Sequence, residues 1–181
     1  MLEGSNPRRV RLEARLVSRH GRDGFTLLEI IVVVVILAIA AVMVVPMMSS
    51  GAATKVLAAA QRVAADLDYA KSMAITHGCV YRVAFISTKQ YQLEDQNGAV
   101  VAHPVNAGTH YVVDLAGGAM DGVEITSTSF DGTHEVRFDS LGSPYNGSGN
   151  HLTSGVITLH GGDCQQTIRV KPMTGVITIG D

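Results

Sequence analysis

The chain has 181 residues, a formal net charge of −2 and 17% charged residues. It has no tryptophan and only 5% aromatic residues, which argues against an aromatic stacking platform for nucleic acid. The length leaves room for one modest soluble domain of about 100 residues beside other segments.

Residues 1–24 form a basic leader. Arg8, Arg9, Arg11, Arg15, Arg19 and Arg22 stand against Glu3, Glu13 and Asp23, a net of +3. Residues 25–181 hold 8 basic and 13 acidic residues, a net of −5. A basic flank ahead of an apolar span holds that end in the cytoplasm, which places the remainder in the periplasm. The acidic balance of that remainder argues against nucleic acid as a partner, because phosphate neutralisation needs clustered Lys and Arg.

Residues 25–51 read as a membrane-spanning helical half. Ile30 to Met48 is a run of 19 residues without a charged or polar side chain. Phe25 to Met48 would extend roughly 36 Å as a helix, against a hydrocarbon core of about 30 Å. Glu29 sits at the start of this run. A carboxylate within a bilayer costs about 2.5–3.5 kcal/mol on insertion scales, so it either reaches the headgroup boundary or meets a partner. A secretory signal peptide, cut at Ser50-Gly51-Ala52, is the competing reading; the long apolar run and Glu29 weigh against it. Pro46 removes a helical hydrogen bond. With Ser49, Ser50 and Gly51 behind it, a kink or a melted segment is expected over 43–51.

Residues 52–78 read as an amphipathic helical half. Val56, Ala60, Val63, Leu67, Ala70 and Ala74 recur at steps of four and three, while Lys55, Gln61, Arg62, Asp66, Asp68 and Lys71 fall largely off that stripe. Gly78 suits the left-handed residue that closes a helix.

Residues 79–181 switch to a period of two and read as a β-rich globular domain. Strands are expected at 80–87, 91–94, 99–101, 110–115, 122–127, 134–139, 155–160, 166–171 and 175–179. Asn97-Gly98, Gly117-Gly118, Asp131-Gly132, Pro144 to Gly149 and Gly161-Gly162 are expected turns or loops. One long helix followed by short strands gives an α+β fold with an antiparallel sheet or small sandwich.

The residues that could carry catalysis or metal binding form no pattern. The seven histidines show no HxH or HxxxH spacing. There is neither a Gly-x-Ser-x-Gly elbow nor a Gly-x-x-x-x-Gly-Lys loop. No cofactor, metal or catalytic residue is expected. Cys79 and Cys164 are the only cysteines. In an oxidising periplasm they are a candidate disulfide. Closing the 84 intervening residues would contribute on the order of 4 kcal/mol; two free thiols too far apart to bridge are the alternative.

Gly24-Phe25-Thr26-Leu27-Leu28-Glu29, directly entering the span, resembles the processing site of type IV prepilins and type II secretion pseudopilins. That resemblance implies cleavage after Gly24 by a prepilin peptidase, methylation of the new amine of Phe25, and pairing of Glu29 with the N-terminal amine of a neighbouring subunit. Pro46 matches a helix-bending proline common in these proteins. The stretches Val136 to Pro144, Gly155 to Leu159 and Ile168 to Ile177 look like the minor pseudopilin H family (the GspH/FimT-like group). Leu67 to Ile75 is similar to that family's helix end, with Lys71 in place of the usual arginine and Met73 in place of the usual glutamate.

The resemblance implies a pilin-like fold and a structural subunit rather than an enzyme. It implies a minor pseudopilin near the tip of a type II secretion pseudopilus, helping to drive export of folded proteins across the outer membrane. The implied partners are the peptidase, other major and minor pseudopilins, the inner-membrane assembly platform, the lipid bilayer and a secreted substrate. The alternative is a minor type IV pilin acting in pilus assembly, adhesion or DNA uptake.

Overall fold

A computed structural model of the chain describes residues 24–106 and 108–180, without the side chains of residues 42–50. The leader expected at 1–24 lies outside the described residues except for Gly24. By Cα proximity the chain divides into two units, 1–40 and 41–181.

The first unit contributes the beginning of helix α1 (Leu27–His77). Its large apolar side chains, Leu27, Leu28, Ile30 to Leu37 and Ile39, are exposed. The helix is assigned without interruption through 43–51, so the melted segment expected there is absent. The side chain of Pro46 lies outside the described residues.

The second unit is α+β. Among the described residues, the second half of α1 precedes nine strands: β1 (Tyr81–Phe85), β2 (Gln90–Glu94), β3 (Val112–Asp114), β4 (Glu124–Phe130), β5 (Glu135–Phe138), β6 (Pro144–Asn146), β7 (Gly155–Gly161), β8 (Cys164–Val170) and β9 (Ile177–Gly180). They form two antiparallel sheets. The first has the order β3-β2-β1-β5-β6 and the second β4-β7-β8-β9.

The stripe read from the sequence is the buried face of the helix: Val56, Ala60, Val63, Leu67, Ala70 and Ala74 have no exposed surface. Ala59 joins them. Opposite lie Tyr81, Val83 and Phe85 of β1, Val136 and Phe138 of β5, Ile157 and Leu159 of β7, and Ile168 and Val170 of β8, in one continuous core. Phe85 stacks on Phe130 at 5.9 Å and so joins the two sheets. Small helix residues let the strands come close. A β-carbon added at Gly161 would stand 2.7 Å from Val56 Cγ2. Gly78 takes φ 65° and ends the helix as expected.

Two expectations from the local pattern differ from the structure. Residues 99–101 make only the isolated bridge Val100 to Glu94, because the segment meets 93–95 and Tyr111 through single hydrogen bonds, Asp95 N to the Ala99 carbonyl, Val101 N to the Leu93 carbonyl and Tyr111 N to the Val101 carbonyl, rather than a ladder. Pro144 to Asn146, expected as loop, is strand β6. Proline is tolerated there because β6 is the outermost named strand of its sheet.

The candidate disulfide is also corrected. Cys79 and Cys164 are both free and partly buried. Cys79 follows the helix C-terminus, whereas Cys164 begins β8 beside Gly161 and Gly162, which face Val56 and Ala52. The helix from Val56 to His77 separates these regions by roughly 30 Å, far beyond the Cα limit of about 7 Å for a bridge. Two thiols per chain are therefore expected to react with a maleimide after denaturation without reductant. A chain that reacts only after reduction would contradict this separation.

Candidate processing and assembly site

The motif that opens α1 has a definite local structure. Gly24, Phe25 and Thr26 precede the helix and are exposed. Phe25 is 76% exposed, and a β-carbon at Gly24 would meet nothing within 4 Å. Thr26 is the N-cap: Glu29 N donates to Thr26 Oγ1 at 3.1 Å, and Ile30 N donates to the Thr26 carbonyl at 3.2 Å. Thr26-Leu27-Leu28-Glu29 thus has the Thr-x-x-Glu pattern of a capping box. The hydroxyl satisfies one of the unpaired N–H groups of the first turn. Glu29 is exposed and lies in that turn, where the helix dipole favours a carboxylate. Thr26 has a role that the sequence reading did not assign, although its spacing from Glu29 carried the signal.

Two further residues of α1 lock the helix to the sheets. Asp66, assigned to the polar side by its place off the stripe, is only 5% exposed. Its Oδ2 accepts from Tyr91 Oη at 2.6 Å and from Arg62 Nε at 3.0 Å, and its Oδ1 accepts from Tyr111 Oη at 2.9 Å. A buried carboxylate is tolerable only when paired in this way. Tyr111 is stacked between Tyr69 at 5.6 Å and His103 at 4.9 Å. Lys71 ties the other sheet: its Nζ donates to the carbonyls of Thr174 and Gly175, each at 3.1 Å. Met73, in place of the glutamate usual in the resembled family, packs against the core.

Burial and the Asp66 charge push the Tyr111 phenol up to about 12 and raise that of Tyr91 as well. For Arg62, burial works against the charge, but Asp66 outweighs it and raises the guanidinium. Among the described residues no group of three or more His, Cys, Asp or Glu could hold a metal ion. Asp131 and Asp139 cap turns, accepting from backbone N–H groups of Thr153 and Ser154 and of Leu141 and Ser143 respectively.

The fold is pilin-like: a helix capped at its start by Thr26, whose second half packs against antiparallel sheets. A family model described as the prokaryotic N-terminal methylation motif matches residues 19–45. The chain belongs to the family described as Type II transport protein GspH, whose model matches residues 59–174. A search of curated proteins returned no match. Similar solved structures include the type IV minor pilin FimU of Pseudomonas aeruginosa, 15% identical with a TM-score of 0.49, covering 71% of this chain and 90% of that one. The minor pseudopilin EpsH from the Type 2 Secretion System of Vibrio cholerae is 12% identical with a TM-score of 0.48, covering 69% of this chain and 95% of that one.

The unfolded pKa of tyrosine is about 10, so both phenols hold their protons more tightly in the folded state. The stability they contribute is complete below pH ~10 and is lost as pH rises toward and through about 12. In an alkaline titration, the absorbance of Tyr91 and Tyr111 should change only together with the loss of near-ultraviolet circular dichroism. Separately, Tyr91→Phe removes one donor to a buried charge and should cost about 1.5–3 kcal/mol, read as a lower urea midpoint at unchanged slope. An unchanged midpoint would remove Asp66 as an anchor.

Proposed function

We propose that this chain is a minor pseudopilin, a structural subunit of a type II secretion pseudopilus that acts near its tip in the export of folded proteins. The observation that carries the reading is one chain with two parts: an exposed Gly24–Phe25 bond ahead of a Thr26-capped helix, and a domain of the GspH family behind it. The chemistry is assembly, with no catalytic step assigned to any residue.

Among the described residues no helix is long and apolar enough to cross a membrane. The proposed span at 25–51 includes residues 42–50, whose side chains are not among those described. It is supported by the uncharged run from Ile30 to Met48 and by apolar side chains that stand exposed around the whole helix from Leu27 to Ile39. A helix apolar on all sides needs lipid or protein around it. In this reading the basic leader faces the cytoplasm and the domain faces the periplasm. The peptidase cuts after Gly24 and methylates Phe25, Pro46 bends the helix, and the inner-membrane platform feeds the subunit to other pseudopilins. Glu29 then pairs with the N-terminal amine of its neighbour. Such a pair sets register more than it adds stability, because desolvation offsets much of the attraction.

The test is the intact mass of the chain recovered from membranes that hold its own peptidase. The expected chain begins at Phe25 and carries one added methyl group. An uncut chain, or one beginning near Ala52, would overturn the reading. Glu29→Ala should leave that mass otherwise unchanged and remove the subunit from cross-linked assemblies with its partners. Deleting the gene should stop release of a secreted protein; loss of surface pili with secretion intact would favour the minor type IV pilin instead.

A further inference from the structure

Helix α1 begins at Leu27, three residues after Gly24. Two of its first-turn donors are met by Thr26: the hydroxyl accepts from Glu29 N at 3.1 Å and the carbonyl accepts from Ile30 N at 3.2 Å. The bond proposed for cleavage stands just ahead of this cap. Among the described residues, nothing hydrogen-bonds to the Gly24 carbonyl or to the Phe25 N–H. The scissile groups are therefore outside the helical ladder by a margin that Thr26 sets.

Where a helix starts is a competition among residues that can satisfy its first N–H groups. Behind Thr26 the competition is thin, since Leu27, Leu28 and the run from Ile30 to Met48 carry no side-chain acceptor of the capping type. Ahead of Thr26 the next capping residue is Asp23, which is among the best N-cap types and lies outside the described residues. A helix begun from Asp23 would take Gly24 and Phe25 as its first two residues. It would bond the Gly24 carbonyl to the Leu28 N–H four residues on and draw the scissile bond into the first turn. Gly24 resists that start, because glycine is one of the poorest helix formers. Thr26 offers the competing start three residues later.

We propose that Thr26 is a positioning residue for the processing reaction: its hydroxyl fixes the helix start at Leu27 and so keeps the Gly24–Phe25 bond out of the helix for the peptidase. The inference rests on the reading of Gly24–Phe25 as the cleaved bond. A separate observation directs the enzyme to this stretch, since the N-terminal methylation motif matches residues 19–45, which include the cap. In the reaction, water adds to the Gly24 carbonyl carbon and the bond to Phe25 N breaks. The products are the Gly24 carboxylate and the Phe25 amine, which takes up the proton released. A carbonyl held by the Leu28 N–H inside a first turn is closed to that attack. Only the fraction of chains with the bond free is then competent, and the apparent affinity for the enzyme falls by that fraction. The cap thus acts on substrate presentation and leaves the chemical step alone.

The full chain in detergent is offered to its own peptidase, and cleavage is followed by the intact mass of the product. Thr26→Val keeps the shape of the side chain and removes the acceptor. Thr26→Ser and Thr26→Asn keep an acceptor, the second in a different shape. Thr26→Val should lower kcat/KM by roughly two- to thirty-fold, the range equivalent to the loss of one N-cap, with the change in KM and kcat unaltered. Thr26→Ser and Thr26→Asn should match the parent chain. In the uncut chain without peptidase, Thr26→Val should also slow hydrogen exchange at the Leu28 amide, which gains the Gly24 carbonyl as a partner. An unchanged kcat/KM for Thr26→Val overturns the proposal. So does a Thr26→Asn chain cut as slowly as Thr26→Val while Thr26→Ser is cut normally, because the peptidase would then be reading the hydroxyl itself. A parent chain left uncut after Gly24 overturns the processing reading, and this inference with it; a parent chain cut there with all variants alike overturns the inference alone.

Discussion

The second unit depends on one constraint: both sheets use the same helix face as their core. Neither sheet closes on itself, and their inward rows, Val83 and Phe138 on one and Ile157 and Ile168 on the other, share a single cluster with Val56, Val63 and Leu67. The alanines at 59, 60, 70 and 74 set the depth of that contact. A larger side chain at any of them would push strands outward and forfeit contacts across the whole cluster. The close approach of Gly161 to Val56 is the same constraint seen from the sheet side.

Apolar packing of this kind resists separation but says little about sliding or rotation, because it has no direction. The two polar anchors supply that direction. Asp66 accepts from two tyrosines on the first sheet side, and Lys71 donates to two carbonyls in the β8–β9 turn. They lie five residues apart on α1 and engage different sheets. Burial makes Asp66 the more demanding of the two, since leaving a charge of that kind unpaired costs far more than a surface pair gains. This polar pinning gives the unit a defined arrangement in a core built largely from small and branched side chains.

The N-terminal motif follows a different logic. Its side chains are exposed and its structure is local: a threonine cap and a carboxylate in the first turn. The motif is accessible and held by short-range bonds alone. The capping hydroxyl fixes where the helix starts, and thereby where the exposed Gly24–Phe25 bond stands relative to Glu29.

What the sequence by itself determined is what depends on local periodicity and local chemistry. The apolar run, the Gly24 to Glu29 motif, the buried stripe of α1, the glycine that ends it and the alternation of Tyr81, Val83 and Phe85 all follow from spacing within a few residues. The Thr26 cap was equally legible, in the three-residue step to Glu29. The tertiary structure alone decided which polar groups are buried and which residues meet. Asp66 is bonded to Tyr91 and Tyr111, 25 and 45 residues away, and Lys71 to carbonyls 103 and 104 residues away. Helical spacing places Asp66 beside the stripe, and only the sheet that arrives later turns that position into interior. The same holds for the cysteines, whose separation is set by the length of the helix between their ends of the unit. Local pattern fixes which face a residue prefers, whereas burial is a property of what the rest of the chain brings against that face.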